Sequence, residues 1–387
     1  MSDDQTSAKG PQKTGSDTSP PRRTGQRHRR KGPSGHAKTF GALDLGTNNC
    51  RLLIAKQTGS GYRIIDSFSR VVRLGAGLSS TGMLSQKAMD AAVDAIKICA
   101  AKMKAKNVVR WRCIATQACR QAGNGEEFLK RVKSETGITL ELISPRVEAR
   151  LAVMGCLALA DKTKDVVMVF DIGGGSSELS WVDLRRVRSG EGVERVHRPP
   201  ISAWASLPTG VVTLSEAIPS TDESPEGLAT RYEAMKEHVR GLIRNAGCES
   251  RFTKTFAEGR GHLIGTSGTI TSLAGIYLEL PYYQRDKVDG LWMNGADVTE
   301  VSRRMAAMTI KERGNISCVG HDRASLLVAG CAIMDVLLEM WPAEKVRVAD
   351  RGLREGMLMG LIASHNKNGR APKRVNGKGK GETDGQR

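Results

Sequence analysis

The chain has 387 residues, of which 39% are hydrophobic and 4% aromatic, and it carries a formal charge of +18. That length admits two domains with separate cores, because a single core stops growing at about 250–300 residues. No stretch approaches the roughly 18 apolar residues of a membrane span, and the N-terminus lacks the apolar segment of a signal peptide, so a cytoplasmic protein with no membrane partner is expected.

The charge is unevenly placed. Residues 1–38 hold nine Lys/Arg against three Asp, a net +6, and residues 366–387 hold seven against two acids, a net +5. Both segments are rich in Gly, Pro, Ser or Lys and poor in apolar side chains. Chain of that composition cannot bury enough surface to order itself, so each is expected to be a disordered basic tail. The run Arg22, Arg23, Arg27, Arg29, Arg30, Lys31 reads either as a solvated tail or as a weak, salt-sensitive attraction for polyphosphate or RNA. The remaining +7 lies between the tails. It is a moderate excess, and no specific nucleic-acid partner is expected.

From Thr39 the pattern changes. The runs TFGALDLG, NCRLLIAK and YRIIDSFSRVV, separated by Gly-bearing turns, predict a meander of strands. Met89, Val93, Ile96, Ala100 and Met103 recur at helical spacing and share one face of a helix that starts near Ser85. VVRWRCIAT predicts a strand, EEFLKRVKSET a helix, ITLELIS a strand and VEARLAVMGCLALA a helix. Then the opening recurs: VVMVFDIGGGSSELSWV is again an apolar run ending in Asp-x-Gly, followed by a run that pairs back on it. HLIGTSGTITSLAGIYL goes from strand through a Gly/Ser/Thr turn into a helix, AGCAIMDVLLEMW is an apolar-faced helix, KVRVAD a strand and GLREGMLMGLIA a closing helix. The predicted class is α/β, with two related halves in tandem, 39–164 and 165–365, and a ligand cleft between them. Eight cysteines are scattered without a CxxC pair, and Cys318 with His321 lacks further ligands nearby, so reduced, buried thiols are expected.

The two Gly-rich turns carry the chemistry. Asp44-Leu45-Gly46-Thr47-Asn48-Asn49 and Asp171-Ile172-Gly173-Gly174-Gly175-Ser176-Ser177 each follow an apolar strand that ends in Asp. Glycine lets the main chain approach phosphate oxygens, and successive N–H groups form an anion-binding nest. The aspartates repel phosphate, which implies a hard cation between them and the anion. Mg2+, bound by one or two carboxylates with water and phosphate oxygens, fits that description.

GALDLGTNNCRLLIA resembles the first phosphate motif of the superfamily of actin, the heat-shock chaperone ATPases and the sugar kinases, and VFDIGGGSSELS resembles the second. RLGAGLSSTGMLS, IATQACRQAGN, ISPRVEARLAVMG, SLPTGVVTLSE, IGTSGTITSLA and VADRGLREGML resemble, in order, the exopolyphosphatase / guanosine pentaphosphate phosphatase family. The resemblance implies two tandem ribonuclease H-like (actin-like ATPase) domains with an interdomain cleft. It implies metal-assisted attack of water, releasing terminal phosphate from inorganic polyphosphate, the 5′-phosphate of guanosine pentaphosphate, or both. It also implies a catalytic base at Glu148, phosphate contacts from Gly46, Thr47, Asn48, Gly173, Gly174, Gly175 and Ser176, and metal contacts from Asp44, Asp171 and Glu178. Read alone, Glu148 is an exposed helix-start glutamate favoured by the macrodipole. Arg120 binds the phosphate chain if the resemblance holds, and is otherwise a solvated or salt-bridged arginine. Asp350 and Arg351 read as setting the turn into the last helix.

Two departures from the family pattern matter. Asn49 stands where the family commonly has Ser, and Pro145, Arg146 and Val147 stand where it has Gly and acids, which places a cation beside Glu148 that would lower its pKa or bind phosphate. Longer relatives carry a further helical, HD-like domain, and with only 22 residues after His365 that domain is expected to be absent. Relatives are expected to be homodimers, although no stripe here marks an interface. Two other readings stay open: a small-molecule kinase of the same superfold, for which no insertion supplies an acceptor subsite, and a non-catalytic polyphosphate or nucleotide sensor, against which Glu148 and both acidic turns speak.

Overall fold

Two apolar runs ending in Asp form the centres of two sheets in the computed structural model, which describes residues 38–59, 61–188 and 199–368. Nearly all of residues 1–38 and 366–387, expected as tails, lie outside the described residues. The first sheet has the order β3-β2-β1-β4-β5, from β1 (Thr39–Leu45), β2 (Asn49–Thr58), β3 (Gly61–Val71), β4 (Val108–Ala115) and β5 (Glu141–Leu142). The second has the order β10-β11-β9-β6-β7-β8, from β6 (Val166–Ile172), β7 (Ser177–Asp183), β8 (Ile201–Leu207), β9 (Gly261–Thr266), β10 (Trp292–Asn294) and β11 (Lys345–Ala349).

The topology repeats. β1, β2 and β3 form an antiparallel meander with β4 parallel on the other side of β1, and β6, β7 and β8 do the same with β9 beside β6. This is the ribonuclease H-like order, present twice, as the actin-like architecture requires. β1 and β6 are buried along almost their whole length, which is why they read as unbroken apolar runs and not as alternating ones. The strand expected at ITLELIS shrinks to two paired residues. Ile138, Leu140 and Ile143 are buried there by packing, with little ladder to support them.

Helices cover both sheets. Gln86–Ala105 starts where Ser85 accepts the Ala88 N–H, and lays Val93, Ile96, Cys99 and Met103 on the first sheet. His321–Met340 and Pro225–Asn245 pack with the second sheet around Trp181 and Trp341, whose rings meet edge to face at 5.3 Å. All eight cysteines are buried and none forms a disulfide. Among the described residues no helix is long and apolar enough to cross a membrane.

Two helices change sides. The helix Pro145–Cys156 directs Leu151 and Met154 into a cluster with Phe40, Ala42, Leu53 and Ala55 of the first sheet, while its Val153 and Cys156 meet Val167, Val169 and Ile264 of the second. The closing helix Leu353–Asn368 follows the last strand of the second sheet, yet Met357, Leu358 and Ile362 pack on the first. The two helices cross in backbone contact. A Cβ on Gly155 would lie 1.9 Å from the Gly352 carbonyl oxygen, and one on Gly356 would lie 2.1 Å from that of Leu151. The crossing sits below the cleft, and its upper ends carry Glu148 and Arg354 into it.

Candidate active site

The two phosphate turns are the same construction made twice. Gly46 N–H donates to Asn49 O, and Gly173 N–H donates to Ser176 O, each at 2.9 Å. Each turn follows an Asp at the next-to-last residue of a central strand, and the residue paired with that Asp across the hairpin also reaches the cleft: Arg51 opposite Asp44, and Glu178 opposite Asp171. The register thus places a cation on one side and an acid on the other. The turns meet face to face. A Cβ on Gly174 would lie 3.0 Å from Thr47 Cβ and 3.2 Å from Asn48 N, so any side chain there would push the facing turn away; its φ is not in the left-handed region.

Glu148 enters from the first turn of its helix, which Ser144 caps by accepting the Val147 N–H and which Pro145 opens. That position aims the carboxylate into the cleft. The side chain is 12% exposed and its Oε2 accepts from Arg120 NH1 at 2.9 Å. Arg120 NH1 also donates to Ile143 O at 2.7 Å, and NH2 to Gln117 Oε1 at 2.7 Å. Arg120 is therefore a salt-bridged arginine turned onto the glutamate, and its guanidinium is not directed at the phosphate turns. Burial pushes the Glu148 carboxyl up to about 7, with Arg120 opposing and Asp44 and Asp171 adding to the rise. The cation expected to act on Glu148 was Arg146; the one that pairs with it is Arg120, and burial outweighs its pull.

Three more carboxylates share the cleft. Burial raises Asp44 to about 6, opposed by Arg51 and Arg354 and reinforced by Asp171. Asp171 is raised by burial against a hydrogen bond from Ser267 Oγ and the charge of Arg51. Glu178 is raised well above the ordinary range by burial, then by Glu148 and Asp171, although Ser206 Oγ donates to its Oε1 at 3.0 Å. Among the described residues, neither the buried Asp44 Oδ1 nor the buried Asn48 Oδ1 has a hydrogen-bond partner. Like charges crowded together and an orphaned carboxylate oxygen suit a hard cation. Among the described residues no three Asp, Glu, His or Cys side chains converge on one point, so Asp44, Asp171 and Glu178 do not form a single cage. The donor set fits an ion held by Asp44 that takes water and substrate oxygens for most of its shell, as magnesium commonly does.

Every candidate from the sequence except Arg120 lines this cleft. Arg51, Arg323, Arg354 and Ser267 line it too, and sequence reading singled out none of them. Arg51 was legible in principle, since it sits where the first half repeats the Glu178 position. Ser267 holds φ 76° and ψ −170°, a region that disfavours a side chain, and this strained backbone delivers its hydroxyl to Asp171. Asp350 and Arg351 do shape the approach to the last helix. Asp350 faces Arg285 at 3.2 Å and Arg351 pairs with Asp289, yet both also face the cleft.

The family model for the Ppx/GppA phosphatase family matches residues 53–365. The structure of the Aquifex aeolicus member of the Ppx/GppA family superposes with a TM-score of 0.66 at 27% identity, over 85% of this chain and 99% of that one. An exopolyphosphatase from Cytophaga hutchinsonii has the same fold, with a TM-score of 0.72 at 22% identity over 84% of this chain and 98% of its own. A Photobacterium profundum guanosine-5′-triphosphate,3′-diphosphate pyrophosphatase is 27% identical over 325 residues, 84% of this chain; the match spans 59% of that protein's length. The repeated sheets, the paired phosphate turns and this match over most of the described residues have one meaning: the chain belongs to the Ppx/GppA phosphatase family and is a phosphohydrolase.

Proposed function

We propose that the cleft releases the terminal phosphate of inorganic polyphosphate and, through the same site, the 5′-phosphate of guanosine pentaphosphate. The observation that carries this reading is Glu148: a carboxylate at the floor of a cleft between two phosphate turns, held by Arg120, with its pKa raised to about 7. A base tuned to neutrality accepts a proton best where it is half ionised near working pH. Water attacks the terminal phosphorus, its proton passes to Glu148, and the bridging P–O bond breaks so that the shortened chain departs with the electron pair.

Both substrates are phosphoanhydrides, so one attack geometry serves them. Arg51, Arg323 and Arg354 supply positive charge along the cleft, and the main-chain N–H groups of residues 47–48 and 174–176, which the hairpin bonds of Gly46 and Gly173 leave unused, are available to phosphate oxygens. Mg2+ is the cofactor we assign; Asp44 would be its protein ligand, with Asp171 and Glu178 beside it in the cleft. When bound, it would neutralise charge on the phosphate oxygens. Residues 39–164 and 165–365 contribute one turn each. The test is phosphate release from long-chain polyphosphate, guanosine pentaphosphate and ATP side by side, with and without Mg2+. Release from none of the three in Mg2+ would overturn the assignment, and full turnover in chelator after metal stripping would overturn the metal.

A further inference from the structure

We propose that Glu216 is a positioning residue that holds the two phosphate turns in register across the cleft. The proposal rests on the reading above that both turns engage phosphate. Glu216 stands on the short helix Val211–Ala217, and its two carboxylate oxygens accept from the other half of the molecule: Oε1 from Gly77 N–H at 2.9 Å and Oε2 from Ser79 Oγ at 3.1 Å.

Each end of this contact is fastened to one turn. On the first side, the Val72 and Arg73 N–H groups donate to Asn48 O at 2.9 and 3.0 Å, and Gly75 N–H donates to Thr47 O at 2.9 Å. The segment that carries Gly77 and Ser79 is thus hydrogen-bonded to the first turn itself. On the second side, the Val211 N–H donates to Gly173 O at 2.9 Å and the Val212 N–H to Gly174 O at 2.8 Å. The helix that carries Glu216 is therefore seated on the second turn. A continuous path runs from Thr47 and Asn48 through residues 72–79 and the Glu216 carboxylate to Gly173 and Gly174, passing outside the cleft.

Magnitudes single out Glu216 among the bridging contacts near this edge. Arg73 and Asp322 also span the halves at 3.2 Å, but as one exposed ion pair, their side chains 62% and 71% open to solvent. Such pairs contribute little. Glu216 instead satisfies two donors, one of them a main-chain N–H that cannot rotate away, and bonds to a charged acceptor are the stronger kind. Because the contact is itself exposed, its loss costs the global fold little. The effect falls on alignment, and misplacing one half of a two-sided phosphate site lowers the rate without unfolding anything.

The experiment compares wild type with Glu216→Ala, Glu216→Gln, Ser79→Ala and the double variant Ser79→Ala/Glu216→Ala in the full chain. Glu216→Ala should lower kcat/KM for polyphosphate by about 5- to 20-fold, with Glu216→Gln recovering part because it keeps an acceptor for Gly77. The double variant should be no worse than Glu216→Ala alone, since both remove the same contact. Amide hydrogen exchange without substrate should speed up at residues 46–49 and 173–176 as well as at 75–80. This readout needs no turnover, so it stands even if polyphosphate is not the substrate. Faster exchange confined to 75–80, additive single variants, or kcat/KM within twofold of wild type for Glu216→Ala would each overturn the proposal.

Discussion

Replacing Glu148 with Gln removes the proton acceptor and keeps the volume, and turnover is expected to fall by about 10²- to 10⁴-fold, the usual contribution of a general base. The fold should tolerate the change. Arg120 keeps Ile143 O and Gln117 Oε1, each at 2.7 Å, and the Gln oxygen can replace Glu148 Oε2, so no buried guanidinium is stranded. The pH dependence follows from the raised pKa. With the carboxyl at about 7, roughly one molecule in ten carries an ionised base at pH 6. Wild-type kcat should therefore climb nearly tenfold per pH unit on the acid side and level off above about pH 8, while the Gln variant should lack this limb. Arg120→Met removes the main opposing charge, so the limb should move to higher pH and activity lost at pH 7 should return near pH 9. Phosphate release at saturating substrate from pH 5.5 to 9.5, with calorimetric binding of polyphosphate to the Gln variant, reads all three. A Gln variant that keeps a third of wild-type turnover, or an acid limb unmoved by Arg120→Met, would refute Glu148 as the base.

Stability should carry the same signature. Asp44 and Glu148 have folded pKa values above their ordinary ones of 3.8 and 4.5, so their contribution to stability is complete below about pH 4 and is lost as pH rises through 6 to 7. Asp44→Asn should therefore gain on wild type in metal-free thermal melts as pH rises from about 4 to about 6 and hold that gain above it, and a difference unchanged across pH 4–6 would refute this. Gly174→Val forces a Cβ against Thr47 and Asn48 and should weaken tripolyphosphate binding by about tenfold or more while leaving the melting temperature close to wild type, since overpacking typically costs 1–3 kcal/mol and the turns can part. Unchanged affinity in calorimetry would count against the paired turns as the cradle. Gly155→Val meets the Gly352 backbone with nothing flexible to yield, and about 3 kcal/mol or more of lost stability in urea melts is expected. Deleting residues 1–36 and 369–387 should leave turnover near wild type but weaken the grip on long polyphosphate at low salt. Loss of soluble expression would show that these segments are structural.

Much of this was legible because the chain repeats itself. Asp44 and Asp171 close unbroken apolar runs, and two such runs with Gly-rich sequels announce two matching sheets and a cleft. Glu148 emerged from its helix-start context only with the aid of the family resemblance; the residues alone suggested an exposed glutamate, and burial by the second half is what overturned that. Arg120 shows the limit of linear reading. Its partner Glu148 lies 28 residues away, and no local pattern tells a guanidinium aimed at phosphate from one aimed at a carboxylate. β8, with half-exposed Trp204, and the helices Pro225–Asn245 and Gly295–Ala306 are additions to the predicted elements, although Leu228, Tyr232, Met235, Val239 and Ile243 do recur at helical spacing. The strand expected at ITLELIS failed for the opposite reason, since its apolar alternation serves packing more than pairing.

The crossed helices have a bearing on how the chain is made. The face of the first sheet formed by Phe40, Ala42, Leu53, Ala55 and Ile114 is covered in part by Leu151 and Met154 and in part by Met357, Leu358 and Ile362, the last three roughly 300 residues later. At about 5–20 residues per second, that face waits on the order of 15–60 s on the ribosome before its lid is synthesised. The first half therefore cannot complete its core as it emerges, in contrast to the usual order in which N-terminal domains fold first. A nascent chain stalled near residue 350 would display an apolar sheet face only partly covered by Leu151 and Met154, a substrate for chaperones, and both halves would reach their native packing together when the last helix is released.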